Sequence, residues 1–268
     1  MFILEDRKLD ILASCIKDCG EIAKECQKEI HRNIKQDGSI LTEADLEISK
    51  IVENCINELF PECSFISEEF PVTRKDNSPY IFILDPIDGT DVYSQGLNSF
   101  AISLGILDGE YNPVGAIISC PRFGIASDDL FIRLDPGKGV LVNGKEFKLS
   151  DNKDDIKQVL IGSKAYQRLD FSSFKGKARS FGSSIIHLFA PALLSHVQGA
   201  ILPPVFIWDI AASHAVLKHL GMDIEYSDGS AFEYTEEFVY EKEKFKKDIY
   251  AGSEKGRKAL RESLPAIK

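Results

Sequence analysis

The sequence predicts a mixed α/β protein whose first half is α+β and whose second half is layered α/β. Three observations carry this. Two amphipathic helical patterns open the chain, strand patterns joined by tight turns fill residues 64–149, and strand and helix patterns alternate from residue 158 onward. With 268 residues, 44% of them hydrophobic, the chain is long enough to bury one large core or two smaller ones.

Over residues 7–31, apolar side chains recur at three- and four-residue spacing, as an amphipathic helix requires. Cys15, Cys19 and Cys26 share that face with Leu12, Ile22 and Ile30. The polar run KQDGS, with Gly38 as the breaker, interrupts the pattern. A second helix is predicted over residues 42–59, where Thr42 and Asp45 fit an N-cap and a first-turn carboxylate. Pro61 ends it.

Strands follow at 64–67 and 80–84, and the unbroken apolar run YIFIL in the latter predicts a strand covered on both faces. Residues 100–107 and 114–119 flank Asp108, Gly109, Asn112 and Pro113, a hairpin signature. Further strands are predicted at 130–134, 139–142 and 145–149, the last two joined by Asn143-Gly144, which suits a tight turn. The polar stretch SDNKDD at 150–155 is the expected boundary between an N-terminal domain, 1–150, and a C-terminal one, 151–268. Beyond it, strands at 158–162 and 178–181 alternate with helices at 184–197 and 209–220. A strand at 248–251 and a short helix from Ser253 complete the pattern.

Acidic residues outnumber basic ones by 42 to 32, for a net charge of -10. That balance argues against a nucleic-acid polymer as partner, because such binding rests on Lys and Arg neutralising phosphates. A small anionic substrate stays open, since a bound cation reverses the local sign. No apolar run reaches the ~20 residues of a membrane span, and MFILEDRKLD turns charged after four residues, unlike a signal peptide. The six cysteines form no Cys-x-x-Cys pair and read as small buried hydrophobes in a reduced compartment. A cytoplasmic location is therefore expected. The five histidines form no His-x-x-x-His pair, so a zinc site on one helix face is not indicated.

The chemistry concentrates in YIFILDPIDGT. A buried strand delivers Asp85, Pro86 turns the chain, and Asp88 offers a second carboxylate three residues on. Gly89 lets the backbone approach a ligand, and Thr90 starts a helix. Mg²⁺ typically takes one or two carboxylates plus substrate phosphate, and free N–H groups at a helix start suit a phosphate. Asp-Pro and Asp-Gly are also ordinary turn residues. Three further acidic elements have equally plain explanations when taken singly. Glu68 and Glu69 follow a strand in FISEEF, Asp209 opens a helix in FIWDIAASHAV, and Asp45 lies in LTEAD.

Jointly, DGSILTEAD, FISEE, LDPIDGT and WDIAA resemble the inositol monophosphatase family in order and approximate spacing, together with RSFGSS and the late YAGS. The resemblance runs from about residue 7 to the C-terminus. It implies an αβαβα sandwich of two sheets with helices between and outside. It also implies a Mg²⁺-dependent phosphatase that hydrolyses a small phosphate monoester by in-line attack of a metal-activated water. Two or three Mg²⁺ ions per site, inhibition by Li⁺ and a homodimer belong to the same expectation.

Position by position, the resemblance assigns Glu68, Asp85, the carbonyl of Ile87, Asp88 and Asp209 to the metals. Glu68 and Thr90 position and deprotonate the water, with Asp45 hydrogen-bonded to Thr90. Main-chain N–H groups of Gly89 and Thr90 grip the phosphate, and Asp91, Arg179 and Ser183 stand on the substrate side. Lys164 and Arg168 are further candidates there, with plain surface residues as the alternative reading. Lys35 lies where the family often has a basic residue.

One position departs from the pattern. Many inositol-acting members carry a Glu seven residues before the WDIAA aspartate; here it is Leu202, which cannot hydrogen-bond a polyol. A 3'(2'),5'-bisphosphate nucleotidase or fructose-1,6-bisphosphatase activity is the alternative on the same scaffold. A regulatory protein that kept the fold is the non-enzymatic one. The haloacid-dehalogenase phosphatases also end an apolar strand on two aspartates, but with one residue between them. Here Pro86 and Ile87 make it two.

Overall fold

The computed structural model describes residues 4–35, 38–149 and 158–267. Helices α1 (Asp6–Cys26) and α2 (Glu43–Leu59) open the chain, separated by strands β1 (Arg32–Ile34) and β2 (Ile40–Thr42). The first helix thus ends sooner than its periodicity implies. The segment after it pairs as an antiparallel hairpin, with three exposed residues in β1 and therefore no apolar signal to read.

A seven-stranded sheet follows, built from β3 (Ser64–Ser67), β4 (Tyr80–Asp88), β5 (Ala101–Asp108), β6 (Pro113–Cys120), β7 (Leu130–Leu134), β8 (Val140–Val142) and β9 (Lys145–Glu146). The strands lie in sequence order; β3 and β4 are parallel and the remaining pairs antiparallel. The short helix α3 (Thr90–Ser94) follows β4. The predicted boundary at 150–155 lies outside the described residues.

The second sheet has β10 (Gln158–Ile161), β11 (Lys177–Arg179), β12 (Val197–Leu202), β13 (Asp223–Tyr226) and β14 (Ile249–Gly252), in the order β11-β10-β12-β14-β13. Its helices are α4 (Ser184–Leu193), α5 (Ala211–His219), α6 (Glu236–Tyr240) and α7 (Glu254–Ser263). Strands β12 and β13 and helix α6 go beyond the elements predicted from sequence. The helical pattern at 184–197 stops at Leu193, and the central strand β12, mostly buried, starts at Val197.

The layers follow from what each face buries. Helices α1 and α2 pack on one face of the seven-stranded sheet, and α4 and α5 fill the space between the sheets. Helix α7 covers the outer face of the five-stranded sheet. The run YIFIL shows why β4 is apolar throughout. Phe82 and Leu84 join the core under α1 and α2, whereas Ile81 and Ile83 join the core shared with the second half. This is the αβαβα sandwich. All six cysteines are free, and no described helix is long and apolar enough to cross a membrane.

Candidate active site

Strand β4 continues past Leu84, where the sequence pattern ends it, through Asp88. Its pairing with β5 runs regularly to Asp85↔Ser103 and resumes at Asp88↔Ala101, so β4 carries one extra residue there. That is a β-bulge, which re-aims side chains. Residues three apart on a regular strand point to opposite faces; the extra residue turns Asp88 to the same side as Asp85. Pro86 fits because a bulge tolerates a residue with no N–H to give.

Asp85, Asp88 and Asp209 each place an oxygen within 4.8 Å of the others. Asp85 and Asp88 come from the seven-stranded sheet. Asp209 comes from a 3-10 turn at Ile207–Asp209 just before α5, which joins the two halves at one point. Asp85 and Asp88 are buried and Asp209 is intermediate in exposure. Their hydrogen bonds come from neutral donors. Asp85 accepts from Ile87 N at 3.1 Å, and Asp209 from Phe206 N at 2.8 Å. Asp88 accepts from the Ser183 hydroxyl and from the N–H groups of Ser184 (3.1 Å) and Ile185 (2.9 Å). The start of α4 thus holds Asp88, as helix N-termini hold anions.

Burial, then the charges of Glu68, Asp88, Asp209 and Asp45, push the Asp85 carboxyl well above the usual range. Asp88 is pushed up to about 7, burial outweighing its hydrogen bonds from Ser183, Ile185 and Ser184. Asp209 rises through burial and the charges of Asp88 and Glu68. Crowded carboxylates behave this way when no cation lies among them.

Asp45 serves two partners. Its Oδ2 accepts from Thr42 N (2.7 Å) and Thr42 Oγ1 (2.6 Å), capping α2, while Oδ1 faces Thr90 Oγ1 at 3.4 Å. The Thr90 hydroxyl donates more closely to the Ile87 carbonyl, at 2.8 Å. Burial first, against the Thr42 bonds, raises Asp45 to about 7. Gly89 leads into α3 at φ 89, a left-handed conformation that favours glycine. A Cβ there would also press on Gly182 O and Val92 at 3.2 Å.

Glu68 is ion-paired with Lys35 at 2.8 Å, and the same ammonium reaches Glu69. Lys35, named only for its place before DGSILTEAD, therefore stands beside the acidic residues. Ser183 contacts Asp88 directly. Other substrate-side candidates have different neighbours. Arg179 is exposed on β11 and donates to Gln158 Oε1 at 3.1 Å, and Arg168 pairs with Asp248 at 2.6 Å. Lys164 is exposed ahead of a 3-10 turn, and Asp91 accepts from Gln95 at 3.2 Å. Leu202 is fully buried in the core, so that position is closed to a polyol. Sequence reasoning missed Lys242, whose ammonium bonds the carbonyls of Ser67, Glu68 and Phe70. A lone lysine in a polar stretch gives no signal of such a contact.

The model of the inositol monophosphatase family matches residues 7–262. The chain belongs to the inositol monophosphatase family. It is thereby a phosphatase of the class that hydrolyses phosphate monoesters. It is 26% identical to "Inositol monophosphatase 1" of Solanum lycopersicum, over 86% of this chain and 88% of that one. It is 28% identical to "Fructose-1,6-bisphosphatase/inositol-1-monophosphatase" of Aquifex aeolicus, over 81% and 83% respectively. Among solved structures, a staphylococcal inositol monophosphatase-1 soaked in LiCl as an inhibitory complex superposes with a TM-score of 0.77. That match has 17% identity and covers 95% of this chain and 92% of that one, a likeness of fold.

Proposed function

We propose that the protein hydrolyses the phosphate monoester of a small metabolite in a Mg²⁺-dependent reaction, with Glu68, Asp85, Asp88 and Asp209 as side-chain metal ligands and the Ile87 carbonyl beside them. The observation that carries this is the approach of three aspartate oxygens from two halves of the chain to within 4.8 Å. Carboxylates so close, two of them buried, with only neutral donors bonded to them, fit hard divalent cations such as Mg²⁺. When bound, such ions withdraw charge from the phosphoryl oxygens and make water a better nucleophile.

The chain's own residues do the rest. Glu68 and the Thr90 hydroxyl orient the attacking water; Thr90 takes the water's proton as it passes its own to Asp45. Main-chain N–H groups at Gly89 and Thr90 hold phosphate oxygens, with Asp91 and Ser183 lining the substrate side. Residues 1–150 supply most ligands, and residues 151–268 supply Asp209 and the Ser183 contact. Buried Leu202 favours substrates other than a simple inositol phosphate, and the name of the Aquifex relative brings bisphosphates into the test panel. Inhibition by Li⁺ is part of this reading, supported by the lithium-soaked staphylococcal relative. A cytoplasmic location and a homodimer complete it, the latter to be tested by light scattering.

The decisive assay measures phosphate release from a panel of monoesters and bisphosphates, with and without Mg²⁺. Asp85→Asn is expected to lose about 100-fold or more in kcat, the scale of removing a positioned charge-stabilising group. Mg²⁺ binding without turnover of any substrate would favour the regulatory alternative.

A further inference from the structure

Lys242 lies just beyond α6, at φ 52, a left-handed conformation uncommon outside glycine. An ammonium has three N–H donors. Lys242 uses all three on main-chain carbonyls: Ser67 O at 2.6 Å, Glu68 O at 3.1 Å and Phe70 O at 2.7 Å. These carbonyls belong to the turn that carries Glu68 away from the end of β3. Oxygens converging on one point repel each other unless a cation gathers them, and here the cation is a side chain. The same ammonium lies 5.4 Å from the centre of the Trp208 ring, within cation–π range. Trp208 directly precedes Asp209. One side chain therefore touches both the Glu68 turn and the Asp209 turn.

The segment that delivers Lys242 is itself anchored on the first half. Arg74 pairs with Glu236 at 2.6 Å, and its guanidinium lies over Tyr240 at 4.4 Å. Tyr240 also packs edge-on against Tyr111, with ring centres 6.4 Å apart.

We infer that Lys242 is a positioning residue for the metal site, holding the Ser67–Phe70 turn and Trp208 at the separation that lets Glu68 act together with Asp85, Asp88 and Asp209. This rests on the metal-dependent reading above. Lys242 touches main-chain atoms and a ring, and its charge also faces the Glu68 and Glu69 carboxylates, so its loss disturbs the position and surroundings of Glu68 rather than how substrate is held.

The test compares wild type, Lys242→Met and Arg74→Ala. Mg²⁺ binding is measured by calorimetry without substrate, and kcat and KM at saturating Mg²⁺. Lys242→Met is expected to bind Mg²⁺ about 10-fold more weakly and to lose a similar factor in kcat, as removal of outer-shell support does. Its substrate KM stays near wild type. Arg74→Ala, which loosens the same segment farther from the turn, lowers the melting temperature but keeps Mg²⁺ affinity. A folded Lys242→Met variant with wild-type Mg²⁺ affinity and kcat overturns the inference alone. If that variant does not fold, Lys242→Gln is held to the same criteria. A wild type that binds no Mg²⁺ overturns the metal-dependent reading, and this inference with it.

Discussion

Asp45 shows how one residue can satisfy a plain explanation and a chemical one together. Its Oδ2 caps α2 and its Oδ1 faces Thr90, so the helix start and the proposed proton path share a carboxylate. Asp45→Asn keeps an oxygen for the cap and removes the proposed base. It is expected to leave the melting temperature nearly unchanged and to lower kcat about 100-fold, at the low end for a general base. Equal losses of stability and activity would assign Asp45 to the cap alone. His187, in the first turn of α4 just after the residues that hold Asp88, offers a pH test of its own. Burial lowers it to about 3 from 6.5, and its Nε2 accepts from Phe181 N at 2.7 Å. The unfolded chain takes up a proton below pH 6.5 that the folded chain refuses until about pH 3. Stability from this group is therefore complete above 6.5 and lost as pH falls toward 3. His187→Gln keeps an acceptor without that titration, and its melting temperature is expected to decline less steeply with acid than wild type.

At the scale of elements, the bulge in β4 and the approach of α5 to β5 place the carboxylates. The order LDPID in the sequence shows two aspartates but not that they share a side. That depends on the register with β5, which breaks between Asp85 and Asp88. Asp209 arrives because α5 packs directly on β5. A Cβ added at Gly105 would lie 2.7 Å from Ala211 Cβ and 2.8 Å from Ala212 N, closer than atoms pack. Gly105→Val forces strand and helix apart, and overpacking of this kind costs about 1–3 kcal/mol. Because α5 follows Asp209, Mg²⁺ affinity measured by calorimetry is expected to fall with stability. A destabilised variant that keeps full Mg²⁺ affinity would show that the packing of α5 does not set the position of Asp209.

At the scale of the molecule, the proposed Mg²⁺ site links metal binding to stability through the same carboxylates. A ligand that binds only the folded state at about 100 times its Kd adds about 2.7 kcal/mol. Adding Mg²⁺ to chelator-treated protein is thus expected to raise the melting temperature by roughly 5–10 °C. Asp85→Asn should remove most of that rise; an equal rise in the variant would place the effect elsewhere. The layered fold was legible wherever apolar patterns were long. Helix α2 and the hairpin β5–β6 match their predicted positions closely, and the two-faced strand β4 starts where predicted but runs four residues further, to Asp88. Three short elements were not: β1 and β2 span three residues each, and α6 spans five. The buried strand β12 was hidden behind a helical pattern that runs into it.

The sequence by itself determined the family and the acidic residue types, because four motifs in order carry local chemistry that needs no contact to be recognised. It also determined that β4 would be covered on both faces, since burial selects apolar side chains one residue at a time. Tertiary structure alone decided that Asp85 and Asp88 share a side, that Asp209 meets them, and that Ser183 and the start of α4 bind Asp88. It alone decided that Lys35 and Lys242 serve the Glu68 turn. Lys242 and Glu68 are separated by 174 residues. Register and packing between distant segments are properties of pairs, and a single chain read in order shows only one member of each pair at a time.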